Sequence, residues 1–63
     1  MMSKRKVLFN GELITRGEFV SAYEKNDEVH VMKEEGNLLH VVFLTGVSTG
    51  NVACIDKKIV GEN

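Results

Sequence analysis

Residues 28–45 read EVHVMKEEGNLLHVVFLT, from Glu28 to Thr45. Two runs of alternating apolar residues flank Glu35-Gly36-Asn37. That pattern predicts an antiparallel hairpin with its turn over those three residues. Pairing Glu34 with Leu38 sets Val29 opposite Phe43 and Val31 opposite Val41 on one face. His30 and Met32 then share the other face with His40 and Val42. A slip of one residue exchanges the faces.

Working outward, Gly46-Val47-Ser48-Thr49-Gly50-Asn51 reads as a loop, followed by a short strand, Val52-Ala53-Cys54-Ile55. Lys57-Lys58-Ile59-Val60 either extends that strand or pairs elsewhere, and Gly61-Glu62-Asn63 is expected to fray. Upstream, Lys4-Arg5-Lys6-Val7-Leu8-Phe9 and Glu12-Leu13-Ile14-Thr15 flank Asn10-Gly11. Asn-Gly between apolar runs is a strong hairpin signal, because a type I′ turn needs φ > 0 at both central residues. A hairpin there pairs Phe9 with Glu12, Leu8 with Leu13 and Val7 with Ile14. Both of its faces are apolar, which suits a curled sheet or a subunit contact.

Residues 15–27 admit two readings. Thr15-Arg16-Gly17-Glu18 matches a capping box, with Phe19, Val20 and Tyr23 on one face of a short helix over about residues 16–25. As a strand, Phe19, Ser21 and Tyr23 point one way and Val20 and Ala22 the other, with Gly17 marking a bend or bulge. Val, Ile and Thr supply 15 residues against 2 Ala. Such β-branched side chains pack well on a pleated surface. The expected class is therefore mainly β: a small, strongly bent, five-stranded barrel. The alternative is an α+β fold with that one helix.

A chain of 63 residues makes one domain, residues 1–63, of marginal stability as a monomer. At 43% hydrophobic it is too apolar for disorder. Its apolar run Val41-Val42-Phe43-Leu44 is far short of the roughly 20 residues that span a bilayer, so no membrane role is expected. No apolar signal segment stands behind Lys4-Arg5-Lys6, and the single cysteine, Cys54, fits a reducing compartment. Both lead to a cytoplasmic expectation. The net charge of −1 gives no global field for nucleic acid, but its distribution is uneven. Residues 1–16 carry a net +3 from Lys4, Arg5, Lys6 and Arg16 against Glu12, and residues 17–35 a net −4. Such a dipolar chain can dock on a charged partner or on itself.

The order of strands resembles the bent barrel of the Sm and Sm-like RNA-associated proteins, over residues 4–56. Val7-Leu8-Phe9-Asn10-Gly11 resembles the first strand and turn of the first Sm motif. Gly17-Glu18-Phe19-Val20-Ser21-Ala22-Tyr23 is similar to its bent second strand. Val41-Val42-Phe43-Leu44-Thr45-Gly46 with Asn51-Val52-Ala53-Cys54-Ile55 resembles the second motif. The resemblance implies an RNA-binding ring subunit with Tyr23, Asn26, Thr45 and Gly46 nearest the bases. The sequence departs from the family in several places. Glu24-Lys25-Asn26-Asp27 has no clean match to the base-contacting loop, and Thr45-Gly46 replaces the basic pair. Val47-Ser48-Thr49-Gly50 looks inserted, and Met1–Lys6 lacks the usual helix. A generic SH3-like barrel explains the same pattern.

Chemistry is sparse. His30, His40, Cys54 and Asp56 are the only soft or borderline metal ligands and lack any paired zinc spacing, so neither metal nor cofactor is expected. His30 and His40 share a face as a candidate pH-sensitive pair. Cys54 sits between Ala53 and Ile55 and reads as a buried small hydrophobe. Gly46-Val47-Ser48-Thr49-Gly50 lacks the lysine of a phosphate-binding loop. Lys4, Arg5, Lys6 and Arg16 can form a basic edge beside Tyr23 for single-stranded nucleic acid. No acid–base or nucleophile constellation stands out, so no enzymatic activity is expected. The reading is a non-enzymatic interaction module or regulator. A small β domain must protect its strand edges or use them on a protein partner or a second copy. The expected contact residues are Val7, Leu8, Leu13, Ile14, Ile59 and Val60. A free-standing inhibitor of a larger machine, of the kind phages make, fits this size.

Overall fold

The computed structural model describes residues 4–61. The long hairpin predicted at its centre is present. β1 (Lys4–Lys6), β4 (Glu28–Glu35), β5 (Leu38–Phe43) and β6 (Val52–Asp56) form one antiparallel sheet in the order β1-β4-β5-β6. β2 (Gly11–Thr15) and β3 (Glu18–Tyr23) form a separate hairpin. The protein is mainly β, with six strands in two sheets among the described residues rather than five in one closed barrel. A 3-10 turn over Lys57–Ile59 is its only helical element among those residues.

The central register pairs Val29 with Phe43 and Val31 with Val41, as the alternation requires. The turn is shorter than expected. Glu35 pairs with Leu38, leaving only Gly36 and Asn37 between the strands, with Gly36 at φ 61°. An irregularity between Val31 and Lys33 leaves Met32 unpaired and absorbs the extra residue. The inner face therefore carries Val29, Leu39, Val41, Phe43 and Ile55 into a core completed by Val7, Leu13, Tyr23 and Val60. Phe43 is 1% exposed, and its ring stacks on Tyr23 at 5.8 Å between centroids.

Asn10-Gly11 does not make a hairpin, and the pairs Phe9–Glu12, Leu8–Leu13 and Val7–Ile14 do not form. β1 is occupied on both edges. Lys4, Arg5 and Lys6 pair with His30, Val29 and Glu28. Val7 bridges Val60, the Leu8 amide donates to the Ile59 carbonyl, and the Gly61 amide donates to that of Lys6. No edge is left for β2. Asn10 instead accepts the Lys25 backbone N–H through Oδ1 at 2.8 Å. Gly11 opens β2 because Tyr23 lies over it: a Cβ at Gly11 would clash with the tyrosine hydroxyl.

The reversal comes at Arg16-Gly17, both with φ > 0 at 54° and 79°, so Thr15 pairs with Glu18. This rules out the helix over residues 16–25 and keeps the strand reading. Gly17, however, reverses the chain rather than bending it. Lys57–Val60 does not extend β6. The Asp56 carboxylate accepts the Lys58 N–H, the chain makes its 3-10 turn, and Val60 returns to β1. Gly61 is not frayed as expected, because its amide donates to the Lys6 carbonyl; Glu62 and Asn63 lie outside the described residues.

Candidate functional site

The expected contact residues divide sharply. Val7, Leu13 and Val60 are core, and Ile59 is partly buried against it. Val7 and Val60 turn inward at the bridge they share, Leu13 reaches the core from β2, and Ile59 packs on it from the 3-10 turn. Leu8 and Ile14 are exposed. Of the RNA-facing candidates, Tyr23 is 7% exposed, with its ring stacked on Phe43 in the core. Thr45 and Gly46 do meet the Asn26-Asp27 turn. Thr45 Oγ1 accepts the Glu28 N–H at 2.9 Å and donates to Asp27 Oδ1 at 3.4 Å. Asp27 Oδ2 accepts the Glu24 N–H at 2.8 Å, so these groups are spent on holding two turns together.

The predicted basic edge is split by strand alternation: Lys4 and Lys6 point outward, Arg5 points inward, and Arg16 sits on the hairpin turn. Lys4 Nζ lies 3.3 Å from Glu28. The loop after β5 is anchored rather than free. Ser48 is fully buried, donates to the Ala22 carbonyl, and lies 2.8 Å from the Ser21 hydroxyl.

Cys54 is exposed, contrary to expectation. Its partner in the ladder is His40 on the outer face, while Ile55 opposite Leu39 takes the core position. The sulfur lies 3.3 Å from His40 Nδ1 and 3.8 Å from Nε2, nearly equidistant and hence over the ring. That is not the in-line approach of a nucleophile to its base. Glu35 Oε1 meets Nε2 at 3.0 Å. His30 faces Val42 and Lys4, while His40 faces Lys33, and His30 Nδ1 is buried without a partner among the described residues. No group of three His, Cys, Asp or Glu side chains able to hold a metal occurs among those residues.

A surface cleft of about 520 Å³ lies between the hairpin and β6. Leu13, Ile14, Thr15, Arg16 and Val20 line one side, and Asn51, Val52, Ala53 and Cys54 the other. Val52 and Cys54 belong to the outer face and Ala53 to the inner, so the cleft runs along the edge of β6. That edge has no ladder partner among the described residues. Its phase is set by the bonds that bracket the β5–β6 ladder, Phe43 N–H to the Asn51 carbonyl and Lys57 N–H to the Asn37 carbonyl. Antiparallel pairs alternate between bonded and unbonded positions. Odd-numbered residues of β6 therefore bond to β5, and the amides and carbonyls of Val52 and Cys54 point into the cleft. Ile14 at 60% and Val52 at 65% exposure supply apolar walls. Reasoning from sequence could not find this cleft, because it needed the hairpin placed across the sheet.

No family model, curated protein or solved structure matches this chain. No helix among the described residues is long and apolar enough to cross a membrane.

Proposed function

We propose that this protein is a non-enzymatic binding module that adds an extended segment of a protein partner to the free edge of β6. The observation that carries the reading is the row of unpaired backbone groups at Val52 and Cys54, opening into a cleft walled by Ile14 and Val20. Main-chain bonds supply affinity in strand addition, and pockets for alternate side chains supply selectivity. Arg16 at the cleft suits an acidic residue in the incoming segment. The element order supports an SH3-like architecture left open beside β6: β4 serves both β1 and β5, and a 3-10 turn precedes the return of Val60 to β1.

Proline at position 54 tests this directly. It removes an N–H that faces the cleft and leaves the β5 ladder intact, which is where sheets tolerate proline. Cys54→Pro should abolish retention of the partner that the wild-type protein captures, while melting cooperatively. Val52→Asp should do the same by charging the wall. Retention of the same partner by both variants would refute strand addition. An RNA oligonucleotide bound in a salt-sensitive way by a six- or seven-membered ring would favour the Sm-like reading instead. A second copy as occupant would show as a dimer in sedimentation, lost in Cys54→Pro.

A further inference from the structure

Away from the cleft, Arg5 lines a cavity of about 450 Å³ with Lys57 and Lys58 of the 3-10 turn, Val60, and Glu34 from the end of β4. Strand alternation brings Arg5 here: it is the inward residue between Lys4 and Lys6. The 3-10 turn brings the lysines, because Asp56 caps it through the Lys58 N–H. Glu34 is the only carboxylate lining the cavity, and it already meets Lys57 Nζ at 3.4 Å. Arg5 and Lys58 make no ion pair among the described residues. Arg5 Nε is shut off from water and has no acceptor among those residues.

We propose that this cavity binds a phosphate group, with Arg5 as the forked donor and Lys58 as the second cation. Two cations beyond the Lys57–Glu34 pair match the charge of a phosphomonoester, about −1.5 to −2 at pH 7. Guanidinium geometry suits two phosphate oxygens at once. The cavity is larger than the phosphate alone, leaving room for the group that carries it. The site is independent of the cleft at β6 and of what binds there.

The test is a titration of the full chain, followed by amide shifts, with inorganic phosphate and separately with glycerol phosphate. Ionic strength is held constant with sodium chloride. Saturable shifts at Arg5 and Lys57–Val60 are expected. Lys58→Gln, at an exposed position, should weaken binding about tenfold, the order expected for losing one charge-assisted bond. Glu34→Gln should tighten it several-fold by removing the one repelling carboxylate. Arg5→Gln should abolish it. Tighter binding of glycerol phosphate would assign the source as a small phosphorylated molecule; equal or weaker binding would assign free phosphate. Shifts that grow linearly, or that Lys58→Gln and Glu34→Gln leave unchanged, would overturn the proposal. So would binding of a single-stranded oligonucleotide with no response to either phosphate.

Discussion

Phe43 shows how one side chain holds both sheets. It sits on β5 opposite Val29 and stacks on Tyr23 of the hairpin, so it joins the four-stranded sheet to β2–β3. Phe43→Ala should cost about 3–5 kcal/mol, from lost transfer energy and the cavity left behind. A chain this small has little more than that in total. The variant is expected to be largely unfolded at 25 °C, as circular dichroism and urea titration would show; an unchanged melting curve would place Phe43 outside the core. This residue was legible from the alternation of β5 alone. Ser48 was not. A serine between two glycines reads as solvated loop, and only its fit against Ala22 and Ser21 explains its burial.

At the scale of elements, the instructive case is the choice between two glycine turns. Asn10-Gly11 has the stronger local signal, yet Arg16-Gly17 makes the hairpin. Local preference for Asn-Gly is worth about 1–2 kcal/mol, the cost of placing an ordinary residue in left-handed space. Pairing β1 on both edges outweighs it by supplying several backbone bonds and burying Val7 and Val60. The turn keeps a residue poorly suited to its φ of 54°. Arg16→Asn should therefore stabilise the protein by up to about 1 kcal/mol, seen as a higher urea midpoint with an unchanged slope. A lower midpoint would mean that the Arg16 side chain contributes more than its backbone strain costs.

Over the whole molecule, the two ends of the described chain hold each other. β1 has β4 on one side and the residues after the 3-10 turn on the other. A chain ending at Asp56 should lose cooperative folding, because Val60 leaves the core and the outer edge of β1 loses its bonds. Loss of amide dispersion in the nitrogen–proton correlation spectrum would report this; a well-dispersed spectrum would show that the return strand is dispensable. The same closure leaves β6 as a sheet edge without a partner among the described residues, which connects the architecture to the proposed binding mode.

The sequence by itself determined the β class, the central hairpin with Val29 opposite Phe43 and Val31 opposite Val41, and the loop before β6. Those follow from period-two alternation, a local property that any pleated ribbon must satisfy. Only the tertiary structure decided which edge β1 pairs with, which glycine turns the chain, and that Val7, Leu13 and Val60 lie inside while Cys54 lies outside. Each depends on contacts between residues far apart in the chain. The backbone bonds and burial gained there exceed the local preferences that a linear reading can weigh.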